Sequence, residues 1–253
     1  MASYLITGAS RGIGLELVKQ LLELPASQVS KVFAVARNVE IDAIKELVQK
    51  HSDRVIPISA SVNNTASLEK AVESVKGKLD GQGLDVLVNN AGINGLTTGG
   101  IKGMEVDQLS QILDVNVIGV QRVTAAFVPL LEQGTQKKVF NISSALGSFA
   151  LASYIADMPT DAYIISKTAL NMLTLRWAQQ YADAGFTIAA ISPGWLRTDM
   201  GSKDADLSVE QGVSEVKRLI LESGKEKNGK FLNIKAAKTD DMMWEYDGKD
   251  IAW

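Results

Sequence analysis

Short apolar runs rich in β-branched residues alternate with longer amphipathic segments along most of this chain. The apolar runs lie at residues 4–6, 32–36, 55–58, 86–88, 139–142 and 188–191. They are typical of strands buried on both faces of a parallel sheet. Helical patterns fill residues 14–24, 41–50, 66–79, 108–131 and 162–182. The alternation predicts an α/β protein with right-handed crossovers and a doubly wound parallel sheet.

The composition suits one domain over residues 1–253, because 46% of the residues are hydrophobic and 22% are charged. A net charge of −3 argues against nucleic acid or an anionic membrane as a partner. The chain has no cysteine and a single histidine, His51. Disulfides, thiolate sites and multi-histidine sites are therefore excluded, and we expect no metal.

The amino-terminal segment does not resemble a signal peptide, because Gly8 interrupts a run of only strand length. No uninterrupted apolar stretch approaches the ~20 residues needed to span a bilayer. The sequence therefore predicts a cytoplasmic protein without a membrane partner.

A glycine-rich turn joins the first predicted strand to the first predicted helix. Gly8, Gly12 and Gly14 follow the strand in the pattern Gly-x-x-x-Gly-x-Gly. Glycines let the main chain approach a pyrophosphate, whose charge the start of the helix stabilises. A tight turn without a ligand would also explain the glycines taken alone.

Two arginines favour NADP(H) over NAD(H). NAD sites commonly carry a carboxylate after the second strand, against the ribose 2′-hydroxyl. This chain has Arg37 there, followed by Asn38, and Arg11 in the glycine turn can approach the same space. Guanidinium groups bind a 2′-phosphate in bidentate fashion.

Tyr163 and Lys167 are four residues apart in a predicted helix. They therefore share one face of that helix. A nearby cation favours the phenolate of a tyrosine, whose ordinary pKa is near ~10, and makes it a usable acid or base. On most helices such a pair is only an aromatic residue at the edge of the core beside a solvated lysine.

The whole set of motifs resembles the short-chain dehydrogenase/reductase family over nearly the entire chain. The matching pieces are Thr7-Gly8-(x)3-Gly12-x-Gly14, Asn89-Asn90-Ala91-Gly92, Asn116, Ser143-Ser144, Tyr163-(x)3-Lys167 and Pro193-Gly194. The segments at 193–201 and 246–253 resemble the branch of Sniffer-type carbonyl reductases, C-factor-like proteins and fungal norsolorinic-acid-type ketoreductases. The resemblance implies a Rossmann fold with about seven strands.

The resemblance also implies a reductase that transfers a hydride from NADPH to a ketone or aldehyde, reversibly. Tyr163 would be the general acid and base, and Lys167 would lower its pKa and hydrogen-bond the nicotinamide ribose. Ser144 would orient the carbonyl, and Asn116 would hold a proton-relay water through its main chain. Without the family, Ser143 and Ser144 would be only a polar strand end.

The cofactor-binding residues implied by the resemblance and the motifs come from six parts of the chain. They are Gly8, Ser10, Arg11, Gly12, Ile13, Gly14, Arg37, Asn38, Ser61, Val62, Asn89, Asn90, Ala91, Gly92, Tyr163, Lys167, Pro193, Gly194, Trp195 and Thr198. Ser61 departs from the family pattern, which often has aspartate there against the adenine.

Three variable segments, at 93–103, 146–161 and 195–207, are expected to surround the substrate. The residues predicted to line its pocket are Ile93, Leu146, Phe149, Tyr154, Trp195 and Met200. This lining favours a mostly apolar, neutral carbonyl substrate or its alcohol. About half of the apolar residues in these segments would instead pack in the core. Met242, Met243 and Trp244 could cap the pocket, but core or subunit contact is favoured for them. Segment 146–161 lengthens the stretch between Ser144 and Tyr163 relative to compact family members.

Two alternatives remain at the level of sequence. One is a regulator that binds the cofactor without turnover, and the other is a dehydratase or isomerase on the same fold. The complete set of catalytic residues argues against the first. A homodimer, a homotetramer and a monomer all stay open.

Overall fold

The computed structural model describes residues 1–253 and contains one sheet of seven parallel strands. The strands are β1 (Ala2–Thr7), β2 (Val29–Ala36), β3 (Val55–Ser59), β4 (Val86–Asn89), β5 (Lys138–Ile142), β6 (Thr187–Ser192) and β7 (Phe231–Asn233). Their order across the sheet is β3-β2-β1-β4-β5-β6-β7. The predicted class, a doubly wound α/β fold of about seven strands, is confirmed.

Seven α-helices accompany the strands. They are α1 (Gly12–Leu22), α2 (Asp42–Lys50), α3 (Thr65–Leu79), α4 (Val106–Leu113), α5 (Gly119–Gln133), α6 (Asp161–Gln180) and α7 (Val209–Glu222). A π-helical turn, Asp114–Ile118, joins α4 to α5. The single helix predicted at 108–131 is therefore two helices with a widened turn between them.

The order of the strands reverses at β1, which pairs with β2 on one side and β4 on the other. Ligands of open parallel sheets bind in the crevice beyond the carboxyl ends of the strands at such a reversal. The glycine turn follows β1 directly, and 89–92 follow β4. The topology therefore brings these two motifs to the same edge.

Each face of the sheet has its own hydrophobic core. One core packs α1 and α7 against the sheet through residues such as Leu17 and Val216. The other packs α3 and α5 through residues such as Val75 and Phe127. The apolar strands are covered on both sides, which explains why they read as continuous hydrophobic runs.

Two elements near the carboxyl end were not located from the sequence. β7 is only three residues long, which is too short for a periodic signal. Helix α7 begins with a capping box, in which Ser208 and Gln211 bond each other's main chain reciprocally. That local signal was available in the sequence.

The helical stretch Val106–Gln133 is long and apolar enough to cross a bilayer by length and composition. Core helices of globular proteins meet the same criterion. In this structure Val123, Phe127 and Leu131 from that stretch pack in the core under the sheet. The stretch therefore serves as a core helix here.

Candidate active site

A large cavity of about 1330 Å³ opens beyond the carboxyl ends of the strands. The glycine turn, the ends of β2 and β4, the serine pair after β5 and the start of α6 all contribute to its wall. Single small-molecule pockets are commonly about 300–1,000 Å³. This cavity therefore has room for a dinucleotide and a second molecule.

The glycine turn fits a pyrophosphate because no side chain can occupy its inner surface. Gly8 has a φ of +69°, and a Cβ there would lie 2.8 Å from the Cα of Ala91. A Cβ on Gly14 would overlap the carbonyl oxygen of Gly8. The bare main chain leads into the first turn of α1, where free N–H groups favour an anion.

Asn90 and Thr7 hold this turn against the neighbouring strand end. The Asn90 side-chain amide donates to the carbonyl oxygens of Thr7 and Gly8 at 2.9 and 3.2 Å. The Thr7 hydroxyl accepts hydrogen bonds from the main-chain N–H groups of Asn90 and Ala91. The two cofactor motifs therefore brace each other.

Arg37 and Arg11 lie exposed in the lining of the cavity. Arg37 forms no ion pair, whereas Arg11 Nη1 lies 2.7 Å from Asp199 Oδ2 in the loop after β6. Both members of that pair are about three-quarters exposed, at 74% and 73%. Exposed pairs contribute little, so Arg11 can exchange Asp199 for a phosphate at small cost.

Tyr163 and Ser144 face the cavity from α6 and from the end of β5. Burial raises the pKa of Tyr163 to about 12, and the neighbouring Ser144 hydroxyl lowers it in part. The phenol is therefore protonated at neutral pH. A protonated phenol beside a hydroxyl forms a pair of groups that can address one carbonyl oxygen.

Lys167 lies one helical turn after Tyr163 and is 5% exposed. Its Nζ donates to the carbonyl oxygen of Ile142 at 2.8 Å and lies 5.4 Å from the centroid of the Tyr163 ring. Burial lowers the pKa of Lys167 to about 8. The ammonium is charged at neutral pH, within range to favour a phenolate at Tyr163.

Asn116 lies in the π-helical turn, is buried, and does not line the cavity. Its side chain accepts from the N–H of Ile93 and donates to the Ile93 carbonyl oxygen, both at 2.9 Å. It also donates to the Ser166 hydroxyl, which donates to the carbonyl oxygen of Tyr163. The side chain thus ties the loop after β4 to the first turn of α6.

Most of the predicted cofactor residues line the cavity. Those that do are Gly8, Ser10, Arg11, Gly12, Ile13, Arg37, Ser61, Val62, Asn90, Ala91, Gly92, Tyr163, Lys167, Pro193, Gly194, Trp195 and Thr198.

Three predicted cofactor residues, Gly14, Asn38 and Asn89, do not line the cavity. Gly14 packs under Gly8 and shapes the turn from below. The Asn38 side chain accepts from the N–H of Glu40 in the turn after β2. Asn89 is 2% exposed and donates to Asn141 and Thr124. Side chains alternate between the faces of a strand, so Asn89 and Asn90 point to different sides.

The turn after β6 is held from its outer side. Gly194 has a φ of +84°, and a Cβ there would meet Ile234 at 2.8 Å. The Trp195 N–H donates to the Tyr246 hydroxyl at 3.1 Å, and its carbonyl oxygen accepts from Leu207. Trp195 can therefore offer a bound molecule its side chain but not its main chain.

Five of the six predicted substrate residues line the cavity, namely Ile93, Leu146, Tyr154, Trp195 and Met200. Phe149 does not line the cavity and is 76% exposed. A position inside an irregular loop carries no periodicity that would predict its direction.

The carboxyl-terminal segment 243–252 lines the cavity and was largely missed from the sequence. The Asp206 carboxylate accepts from the N–H groups of Met243 and Trp244 and from the Tyr246 hydroxyl. Met243 and Trp244 line the cavity, and Met242 and Trp244 pack against the core. The signals for this placement were the motif at 246–253 and the apolar residues 242–244.

A family model described as short chain dehydrogenase matches residues 3–209. The chain belongs to the short-chain dehydrogenase family. This confirms the resemblance stated from the motifs, and the family is one of oxidoreductases.

Named relatives agree with the branch suggested by the sequence. The C-signal protein of Myxococcus xanthus is 32% identical over 170 residues, which cover 67% of this chain and 93% of that protein. The structure of an NADPH-bound carbonyl reductase from chicken fatty liver has a TM-score of 0.86 and 31% identity, covering 100% of this chain and 99% of its own. The carbonyl reductase Sniffer of D. melanogaster has a TM-score of 0.87 and 31% identity, with 100% of both chains covered.

Proposed function

We propose that this short-chain dehydrogenase is an NADPH-dependent reductase that converts a ketone or aldehyde to an alcohol through Tyr163. The observation that carries the proposal is the convergence of Tyr163, Ser144 and Lys167 on one cavity that also contains the glycine turn. The similarity to two carbonyl reductases over their full length supports it.

Tyr163 supplies the proton. Burial raises its pKa to about 12, so the phenol carries its proton throughout the neutral range. When bound, NADPH would supply the hydride to the carbonyl carbon, and Tyr163 would give its phenol proton to the carbonyl oxygen. The Ser144 hydroxyl holds that oxygen while charge develops on it.

Lys167 stabilises the phenolate that the proton transfer leaves. Its ammonium lies 5.4 Å from the Tyr163 ring centroid and is anchored on the Ile142 carbonyl oxygen. In the reverse direction the same charge makes Tyr163 a better base. The Asn116 side chain is committed to Ile93 and Ser166. Any relay of protons to Lys167 that involves Asn116 therefore uses the main chain of Asn116.

Arg37 and Arg11 select NADPH over NADH in this proposal. Arg37 has no acidic partner, and its guanidinium suits a 2′-phosphate dianion. The NADPH named for the chicken enzyme agrees with this choice. Ser61 and Val62, at the same end of the cavity, are assigned to the adenine.

The substrate is a mostly apolar, neutral carbonyl compound. The apolar residues that line the cavity include Leu146, Leu151, Tyr154, Met158, Trp195 and Met200. Charged residues of the carboxyl-terminal segment also line it, and two of them, Lys249 and Asp247, pair with each other at 3.1 Å. Because the charges of Lys249 and Asp247 offset each other, this pair offers little attraction to a small charged acid.

The test is the Tyr163→Phe variant, which removes only the proton donor. NADPH binding should persist while carbonyl reduction falls by about 10²–10⁴-fold, the usual contribution of a general acid. Tyr181→Phe is the matched control, because Tyr181 packs between Trp177 and Phe186 away from the cavity. Unchanged reduction by Tyr163→Phe would refute the mechanism.

The same assay separates the alternatives. A panel of carbonyl compounds with NADPH should show oxidation of the coenzyme in step with alcohol formation. Binding of NADPH without any consumption would point to a cofactor-sensing regulator. Product formation without net oxidation of NADPH would point to a dehydratase or an isomerase.

A further inference from the structure

Asn171 lies on the same face of α6 as Tyr163 and Lys167 and has no role in the mechanism described above. It follows Lys167 by one helical turn and is 3% exposed. A buried primary amide is costly unless its donor and acceptor groups are both satisfied. The partners of Asn171 therefore indicate what the residue does.

Those partners flank Ser144 on both sides. The Ser143 hydroxyl donates to Asn171 Oδ1 at 2.6 Å. Asn171 Nδ2 donates to the carbonyl oxygen of Gly147 at 3.0 Å. The Asn171 amide thus bridges the turn that contains Ser144. Its oxygen binds Ser143, just before Ser144, and its nitrogen binds Gly147, at the end of the turn.

The turn also docks on the helix main chain beside Lys167. A Cβ on Gly147 would lie 2.7 Å from the carbonyl carbon of Lys167 and 2.9 Å from its Cβ. The Gly147 N–H donates to the Ser144 carbonyl oxygen at 2.9 Å. The main chain beside Ser144 is also bonded to β6, through Ser143 N–H to Ile191 and Ala145 N–H to Ser192. The contact with α6 therefore sets how far the Ser144 hydroxyl lies from Tyr163.

We propose that Asn171 is the positioning residue of the Ser144 hydroxyl, holding the turn 143–147 on α6 at the distance from Tyr163 that carbonyl reduction requires. The inference rests on the role proposed for Ser144. Asn171 contacts neither substrate nor cofactor and acts through Ser144 alone. A misplacement of about 1 Å in a catalytic group can cost about a hundredfold in rate, so loosening the turn has a large effect on turnover.

The experiment is a double-mutant cycle with Ser144→Ala and Asn171→Ala, using NADPH and one carbonyl compound that the protein reduces. Alone, Asn171→Ala should lower kcat by about tenfold to a hundredfold, with the Kd for NADPH changed less than about twofold. In the Ser144→Ala background the same substitution should change kcat less than about twofold, because the hydroxyl that it positions is already gone.

Thr174→Val is the matched control. Thr174 lies on the same buried face of α6, and its hydroxyl accepts from Asn141 Nδ2 at 2.8 Å, away from the Ser144 turn. Loss of the Thr174 hydroxyl should lower stability and leave the effect of Ser144→Ala on kcat unchanged.

If the Asn171→Ala variant does not bind NADPH, Asn171→Asp replaces it in the cycle. The aspartate carboxylate keeps the hydrogen bond from Ser143 and loses the one to Gly147.

Equal fold losses from Asn171→Ala in both backgrounds would overturn the positioning role and leave the function of Ser144 intact. No loss from Asn171→Ala in the background that retains Ser144 would overturn it too. A Ser144→Ala variant that keeps full activity would instead refute the function proposed for Ser144, and with it the role of Asn171.

Discussion

Lys167 Nζ donates a 2.8 Å hydrogen bond to the main-chain carbonyl oxygen of Ile142, the last residue of β5. The ammonium is therefore anchored on the sheet and does not depend on Tyr163 for its position. It is also buried, and burial lowers the pKa of Lys167 to about 8. The proposed active site thus contains a cation whose charge is lost just above neutral pH.

This pKa gives the unfolding free energy of the cofactor-free protein a definite dependence on pH. An unfolded lysine has a pKa near ~10.4, so between about pH 8 and 10 the unfolded state binds the proton that the folded state has released. Stability rises with pH wherever the unfolded state binds more protons. Lys167 should therefore add about 2 kcal/mol between pH 8 and 10.

Urea unfolding at pH 7, 8, 9 and 10 would measure this contribution of Lys167 to the unfolding free energy. Lys167→Met is the reference, because it keeps an apolar side chain of similar length without the charge. The difference in unfolding free energy between the two proteins should grow in favour of the unsubstituted chain as pH rises. Parallel curves would show that the lysine has an ordinary pKa in the folded protein.

The second prediction concerns the selection of the coenzyme. Arg37→Asp should weaken NADPH binding by about tenfold to a hundredfold, the value of a charged hydrogen bond of about 1.5–3 kcal/mol, and should affect NADH far less. Arg176→Asp makes the same charge change on the exposed side of α6, where Arg176 bonds Gln179. Fluorescence titrations with NADPH and NADH would measure both affinities. Equal losses of affinity for the two coenzymes would contradict the assignment of Arg37 to the 2′-phosphate.

The third prediction compares two glycine substitutions. Gly14→Ala should destabilise the protein by about 1–3 kcal/mol and weaken NADPH binding, because its Cβ would overlap the Gly8 carbonyl oxygen. Gly77→Ala in α3 places a Cβ with no heavy atom within 4 Å. That change should stabilise the helix by up to about 1 kcal/mol. Denaturant midpoints that rank the two variants in the opposite order would contradict the structure.

The fourth prediction concerns the Tyr246 hydroxyl, which accepts from the Trp195 N–H and donates to Asp206. Tyr246→Phe leaves the half-buried Trp195 N–H without its partner, whereas the Asp206 carboxylate keeps the N–H groups of Met243 and Trp244. The loss should cost about 0.5–1.5 kcal/mol. Hydrogen exchange at the Trp195 amide should accelerate, and KM for the carbonyl substrate should rise more than kcat falls. Tyr181→Phe should alter neither quantity. A Trp195 amide that stays equally protected would mean that Tyr246 does not hold the turn after β6.

Part of the site was accessible from local spacing. Tyr163, Lys167 and the glycines of the turn were identified because each belongs to a short motif whose partners lie within one turn or one loop. Asn89 and Phe149 are two predicted site residues that do not line the cavity. Asn89 sits where a strand ends and side chains alternate between faces, and Phe149 sits in a loop without periodicity.

The sequence alone determined the alternation of strands and helices, the family, and the chemical types that meet at the carboxyl edge of the sheet. Those features are local, because they depend on hydrophobic period and on residues close together in the chain. The tertiary structure decided that 243–252 closes the cavity through Asp206 and that Asn171 holds both ends of the Ser144 turn. These contacts join residues 24 to 40 positions apart in sequence. Hydrogen bonds at that separation are set by how the packed elements meet in space, which no local pattern encodes.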